Sequence, residues 1–246
     1  MAKAAANGNG PGTVHITLQG KGGVGKSFVS SLIAQFYMQR DRPVHCFDTD
    51  PINPTLAQYR SLNAERIHVL KRGAINEKDF DVLVERVCSG SGVFVVDTGA
   101  TTFVPLWNYV LENEVLGLLS KHGRQVYVHS VVAGGQALPD TLNGFAQLAQ
   151  TTDQRNVIVW INEYFGGVEG FTEFKQTHDS LEKLVGSVMI RERNPQTFGD
   201  DVKQMLQRRM TFDEAIRSEE FSLVSKQRLT IIRRDIFDQI EQLALV

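Results

Sequence analysis

The chain has 246 residues, which suits one α/β domain better than two, and 42% of them are apolar and 22% charged. The formal net charge of −2 excludes a general attraction to nucleic acid, so a DNA contact would need a local basic patch. No run of about 18 apolar residues occurs, which excludes a membrane-spanning helix. The two cysteines, Cys46 and Cys88, lack metal-binding spacing and are expected to be reduced thiols.

Residues 1–12 are rich in Ala, Asn and Gly and lack the apolar stretch of a signal peptide. They are predicted to be a disordered leader, and residues 13–246 are predicted to form a single domain. Without a signal peptide or a spanning helix, the protein is expected to be cytoplasmic.

Strands and helices are predicted to alternate along the chain. Short apolar runs predict strands at 14–18, 43–47, 66–70, 92–96, 125–132, 156–161 and 186–190. Helical spacing of apolar residues predicts helices at 27–40, 79–88, 103–119 and 137–149, and further helices after the last strand, ending with 225–245. This alternation indicates an α/β fold with three layers, a doubly wound and mostly parallel sheet between helices. Ligands of such folds bind at the carboxyl ends of the strands.

The first predicted strand leads into Gly20–Ser27, which fits the phosphate-loop pattern G-x-x-x-x-G-K-[ST]. Glycines let successive backbone N–H groups point inward at phosphate oxygens, and the following helix adds its positive N-terminus. Lys26 is expected to reach the outer phosphates and Ser27 to offer its hydroxyl to Mg²⁺. The expected nucleotide-binding residues of this segment are Gly20, Gly22, Gly23, Val24, Gly25, Lys26, Ser27 and Phe28.

A second lysine, Lys21, gives the segment the sequence Lys-Gly-Gly-Val-Gly-Lys-Ser. This resembles the deviant Walker A motif of P-loop ATPases of the ParA, MinD and nitrogenase iron protein group, the SIMIBI type of P-loop NTPase. In that family the early lysine reaches across a dimer to the partner's nucleotide, which suits a point charge on a long flexible stem. The resemblance implies an ATP-dependent homodimer with ATP and Mg²⁺ as its ligands. A solvated loop lysine is the alternative.

Carboxylates close two of the neighbouring strands. Asp48 and Asp50 precede a proline, as in the D-x-D-P element of the same family, and Asp97-Thr98-Gly99 resembles a Walker B strand followed by a switch segment. The resemblance implies that Asp50 positions the attacking water, Asp48 serves the metal through its water shell, and Asp97 holds Mg²⁺. Gly99 would bring a backbone N–H to the γ-phosphate. A solvated pair at the strand end is the alternative for Asp48 and Asp50.

Asn162 ends the strand predicted at 156–161. In this family an asparagine there reads the adenine edge, since its amide both donates and accepts hydrogen bonds. The guanine signature N-K-x-D is absent from this strand end, which favours ATP over GTP. The alternative is an asparagine that caps the next turn.

Within the deviant Walker A group, the chain resembles the TraL branch of plasmid conjugal transfer proteins. Two features depart from partition ATPases: Phe28 replaces the usual threonine, and Asn53-Pro54-Thr55 follows the Asp-Pro element. The stretches that carry the resemblance are Leu18–Ser27, Asp48–Pro51, Phe103–Leu106, Gly134–Leu138, Gly144–Ala149 and Thr211–Ala215.

The resemblance implies a Mg-ATP-dependent dimerisation switch with slow, partner-stimulated hydrolysis that serves plasmid conjugal transfer or plasmid maintenance. Lys21, Lys26 and Asp50 are the expected catalytic residues, and an unidentified protein of that machinery is the expected partner. Three alternatives stay open: a partition-type ATPase on nonspecific DNA, a P-loop small-molecule kinase, and a scaffold that binds ATP without splitting it.

The last predicted helix has one apolar face and basic residues at its start. Packing of this face on the core is expected, with a membrane-surface helix at the inner membrane as the alternative. Lys203, Arg208 and Arg209 are candidates for DNA phosphate contacts or for a solvated helix face. The apolar face comprises Leu229, Ile232, Ile236, Ile240 and Leu243.

Overall fold

The computed structural model describes residues 12–152, 156–169, 171 and 182–245. Its strands are β1 (Gly12–Thr17), β2 (Val44–Asp48), β3 (Glu65–Arg66), β4 (Leu70–Lys71), β5 (Ala74–Ile75), β6 (Val93–Asp97), β7 (Arg124–Ala133), β8 (Val157–Asn162) and β9 (Leu184–Ile190). Seven of them form one sheet in the order β3-β2-β6-β1-β7-β8-β9. All its neighbours pair in parallel, while β4 and β5 form a separate antiparallel hairpin.

Helices cover both faces of the sheet. The described helices are α1 (Lys26–Met38), α2 (Phe80–Ser89), α3 (Phe103–Glu112), α4 (Val115–Lys121), α5 (Leu138–Thr151), α6 (Asp200–Gln207), α7 (Phe212–Arg217) and α8 (Leu223–Gln242). Alternate residues of β6 face opposite layers: Val93 and Val95 pack with α1 and the C-terminal helices, and Phe94 and Val96 pack with α2 to α4. The predicted three-layer, doubly wound α/β fold is confirmed.

Three boundaries differ from the sequence prediction. The helix predicted at 103–119 is two helices, since Glu114 adopts a left-handed backbone with φ of 48° between α3 and α4. The strand predicted at 66–70 is reduced to β3, which pairs with only the last residues of β2. The predicted leader lies outside the described residues except for Gly12, which is the first residue of β1. A Cβ added at Gly12 would collide with the side chain of Arg124.

The C-terminal helix α8 packs its apolar face on the core, as expected. Leu229, Ile232, Ile236 and Ile240 are buried in the cluster that includes α1. This face is therefore covered by protein and is not presented to a membrane surface. In the part of the chain that the structure describes, no helix is long and apolar enough to cross a bilayer.

Candidate functional site

Three strand ends converge on one edge of the sheet. In the parallel register, Thr17 of β1 and Asp48 of β2 both stand opposite Asp97 of β6. The phosphate loop leaves β1 just beyond this point, so the loop and both acidic segments meet at the carboxyl ends of adjacent strands. This is the edge at which α/β sheets bind ligands.

The phosphate loop is an open turn that leads into α1. Gly23 and Gly25 have φ of 75° and 106°, in the left-handed region that favours glycine, and a Cβ added at Gly23 would meet no atom within 4 Å. The helix begins at Lys26, so its first N–H groups face the loop. The Lys26 side chain is buried, and its Nζ donates to the carbonyl of Lys21 at 2.8 Å. Burial lowers the pKa of Lys26, while Asp97 and Asp50 oppose this effect.

Asp97 is a buried carboxylate with one satisfied oxygen. The Ser30 hydroxyl donates to its Oδ1 at 2.9 Å, whereas no described donor makes a hydrogen bond with its Oδ2. Burial raises the pKa of Asp97 to about 7, and the nearby Ser27 hydroxyl lowers it in part. A bare carboxylate oxygen beside a serine hydroxyl is a donor set that suits Mg²⁺.

A Mg²⁺ ion at this site would need further ligands from outside the chain. The described residues contain no group of three or more His, Cys, Asp or Glu that could hold a metal ion. Mg²⁺ commonly keeps waters and takes one or two carboxylates together with substrate phosphates, so Ser27 and Asp97 are enough for a metal that arrives with a nucleotide.

Asp48 has partners other than metal-bound water. Its Oδ1 accepts from the backbone N–H of Asp50 at 3.0 Å, and its Oδ2 accepts from that of Ala57 at 3.0 Å. Burial is the main cause that raises the pKa of Asp48. Both oxygens are engaged, so these contacts support positioning of the Asp50 loop, and service to the metal stays a prediction for Asp48.

Asp50 stands at the rim of the cavity. Its Oδ1 accepts from the backbone N–H groups of Ile52 and Asn53 at 2.9 and 3.0 Å, and none of the described residues donates to Oδ2. Gly99 lies directly beside it, because a Cβ added at Gly99 would fall 2.6 Å from Asp50 Cγ. One carboxylate oxygen of Asp50 is therefore free for a ligand, and the absence of a side chain at Gly99 makes room for it.

Lys21 lies at the surface, with its Nζ 2.7 Å from Oδ2 of Asp140 in the first turn of α5. The two side chains are 46% and 58% exposed, and an ion pair this exposed contributes about 1 kcal/mol or less. A phosphate can therefore compete with Asp140 for this lysine at little cost.

Asn162 is buried, and its amide is used within the chain. Nδ2 donates to the carbonyl of Val24 in the phosphate loop at 3.0 Å, and Oδ1 accepts from the N–H of Tyr164 at 3.2 Å. The turn-capping alternative is thus the arrangement present in this structure. Base reading by Asn162 stays a prediction and would require these two hydrogen bonds to be exchanged.

Two cavities adjoin at Phe28. One, of about 570 Å³, is lined by loop residues such as Lys26 and Ser27 and also by Asp50. The other, of about 110 Å³, is mainly apolar, and it was missed by sequence reasoning because its walls come from residues far apart in the chain. The apolar residues of its wall are Phe28, Tyr164, Ile190, Pro195, Phe198, Val202, Ile232 and Ile236.

Comparison with known proteins gives both close relatives and distant structural neighbours. No protein-family model matches the chain. Two Escherichia coli proteins, each named Protein TraL, are 40% identical over 238 residues, which is 95% of this chain and 99% of the relative.

The solved structures share the fold at low sequence identity. The MinD cell division protein of Aquifex aeolicus matches with a TM-score of 0.53 and 18% identity, covering 94% of this chain and 97% of its own. A Borrelia burgdorferi protein described as a plasmid partition protein, solved with AMPPNP, matches with a TM-score of 0.54 and 16% identity, covering 95% and 99%. The fold is shared with the MinD cell division protein and with that plasmid partition protein, and the chain belongs to the TraL family.

Proposed function

We propose that the protein is a Mg-ATP-dependent dimerisation switch with slow ATP hydrolysis, acting in plasmid conjugal transfer or maintenance. One observation carries the proposal: Lys26, Ser27 and Asp50 line a single cavity at the carboxyl edge of the sheet. The buried carboxyl of Asp97, whose Oδ2 has no partner among the described residues, lies beside Ser27. The TraL relatives and the structural neighbours support the plasmid setting and the nucleotide class.

The two adjoining cavities fit the two halves of a nucleotide. The phosphates would lie over the N-terminus of α1, where the loop amides and Lys26 donate, and Lys26 would exchange the carbonyl of Lys21 for a phosphate oxygen. The base would occupy the apolar cavity beyond Phe28, against Tyr164 and Ile190. Ser27 and Asp97 would hold Mg²⁺, which would neutralise charge on the phosphates.

Asp50 is the residue placed to orient water. Its Oδ1 is fixed by two backbone N–H groups, so the carboxylate is held still and its Oδ2 can accept a hydrogen bond from a water aimed at the terminal phosphorus. Orientation by a single carboxylate, without a strong base, is consistent with slow turnover.

Lys21 supplies the proposed link to a second copy. Its side chain is exposed and its partner Asp140 is exposed as well, so the lysine is accessible from outside the protomer. In the proposed dimer each Lys21 would leave Asp140 for the phosphates in the opposite subunit. The closed dimer would then be the signal for a protein partner of the transfer or maintenance machinery.

The described surface gives partition-type DNA binding little support. Of the three candidates for phosphate contacts, Arg208 pairs with Glu220 and Arg209 lines the cavity of the phosphate loop. Two basic residues of α8 are also paired within the chain, Arg228 with Asp201 and Arg233 with Asp213.

The variant Asp50→Ala tests the proposal. It should bind Mg-ATP with wild-type affinity in a calorimetric titration, release phosphate at least about 10-fold more slowly, and accumulate as an ATP-bound dimer. Asp238→Ala, at an exposed position of α8, is the matched control and should behave as wild type. Unchanged phosphate release in Asp50→Ala would remove this residue from its role, and a wild-type protein that binds no nucleotide would refute the proposal.

A further inference from the structure

Arg209 lines the same cavity as the phosphate loop, although it lies far away in sequence. Together with Leu206 it forms the part of the wall contributed by the end of α6, and Lys26, Ser27 and Asp50 line the same cavity. The sequence had offered Arg209 only as a DNA contact or a solvated residue. Its position instead places a second cation on the proposed nucleotide-binding cavity.

The backbone at Arg209 is one that glycine would adopt more easily. Helix α6 ends in a Schellman motif, in which Arg209 N–H bonds to Leu206 O and Met210 N–H bonds to Met205 O, both at 3.1 Å. Arg209 occupies the left-handed position of this motif with φ of 54°. Glycine is the usual residue there because a Cβ makes this conformation costly, so the local fold gives no reason for an arginine.

The guanidinium group of Arg209 is held by two hydrogen bonds and has further N–H groups without an acceptor among the described residues. Its Nε donates to Oε1 of Gln58 at 3.0 Å, and its Nη1 donates to the carbonyl of Leu206 at 2.7 Å. Gln58 belongs to the turn that follows Asp50, so the side chain ties α6 to the Asp50 loop. Among the described residues, none accepts from Nη2. A fixed guanidinium fork with free N–H groups is the form in which arginine binds phosphate oxygens.

The neighbouring arginine is used differently. Arg208 adopts a right-handed backbone at the end of α6, and its Nε pairs with Glu220 at the surface. Two adjacent residues of the same charge therefore have distinct environments, with Arg209 on the cavity and Arg208 on an ion pair outside it.

We propose that Arg209 binds the phosphate chain of the nucleotide from the side opposite the phosphate loop. This inference rests on the proposed function, since it names one more ligand-binding residue in the same site. The side chain would neutralise phosphate charge together with Lys26, and through Gln58 it would bring the Asp50 loop against the bound phosphates.

The test measures binding of Mg-ATP and of inorganic tripolyphosphate, a probe that carries the phosphates without a base. Arg209→Ala and Arg209→Gly should each weaken both ligands on the order of 10-fold or more, as expected for the loss of a hydrogen bond to a charged group. Arg208→Ala, which removes the same charge one residue away, should leave both affinities unchanged.

The thermal stability of the two Arg209 variants separates a ligand-binding role from a structural one. Arg209→Gly should unfold at a higher temperature than Arg209→Ala, because glycine suits the left-handed position, and yet bind tripolyphosphate no better. If both Arg209 variants bind tripolyphosphate as wild type does, the inference is wrong and the proposed function stands. If wild type itself binds neither ligand, the proposed function fails, and this inference fails with it.

Discussion

In the absence of metal and nucleotide, the buried carboxylate of Asp97 is expected to reduce the free energy of unfolding. Burial raises its pKa from 3.8 to about 7, and its Oδ2 has no partner among the described residues. Between these two values the folded state binds more protons than the unfolded state, so stability is lost as pH rises towards 7. A difference of about 3 pKa units corresponds to about 4 kcal/mol at pH 8, where the carboxyl is ionised in both states.

The variant Asp97→Asn keeps the shape of the side chain and removes this charge. In the absence of Mg²⁺ and nucleotide, Asp97→Asn should therefore be more stable than wild type at pH 8, by up to about 4 kcal/mol. At pH 5 most of the wild-type carboxyl is already protonated in the folded state, so the gain should be about 3 kcal/mol smaller.

Urea unfolding of both proteins at pH 5 and pH 8 measures this difference directly. Asp238→Asn, at an exposed position, is the control and should show no pH-dependent gain. Addition of Mg-ATP should then stabilise wild type but not Asp97→Asn, since the variant lacks the carboxylate that holds the metal. A gain of equal size at the two pH values, or a variant less stable than wild type at pH 8, would refute the argument.

Two further predictions concern the site and the core. Gly99→Ala should bind Mg-ATP as wild type does but release phosphate at least about 10-fold more slowly, because the added Cβ would fall 2.6 Å from Cγ of Asp50. Gly117→Ala, with open space around it, is the control. Normal phosphate release by Gly99→Ala would contradict the close packing of Gly99 against Asp50. Burial lowers the pKa of His15 to about 3, so this histidine is neutral when folded and its share of stability is lost as pH falls below 6.5. The unfolding free energy of wild type relative to that of His15→Gln should therefore fall by about 2 kcal/mol from pH 7 to pH 5. Replacement of the exposed His122 is the control and should not change the pH dependence of the unfolding free energy. If the unfolding free energies of wild type and His15→Gln change equally with pH, His15 is not a neutral buried histidine.

The parts of the fold that could be predicted from the sequence depend on local patterns. The phosphate loop and the apolar runs around it fix β1, α1 and β6 within a few residues, because each is defined by neighbours in the chain. The break between α3 and α4 is marked by no glycine or proline, and Glu114 adopts the left-handed conformation without a sequence signal.

The parts of the site that could not be predicted depend on distant segments. The apolar cavity beside Phe28 and the approach of Arg209 to the loop arise only when the chain after β9 packs on α1. Asn162 was ambiguous for a different reason. A turn cap and a base-reading amide require the same residue at the same strand end, and only the contacts to Val24 and Tyr164 separate the two.

The molar mass of the protein in solution, measured by light scattering after size-exclusion chromatography, tests the central claim most directly. With Mg-ATP, wild type should elute as a dimer and with Mg-ADP as a monomer, whereas Lys21→Ala should bind ATP and stay monomeric. Lys121→Ala, a lysine replaced at the end of α4, should dimerise as wild type does. A Lys21→Ala protein that dimerises with ATP, or a wild-type protein whose mass is the same with both nucleotides, would contradict the account.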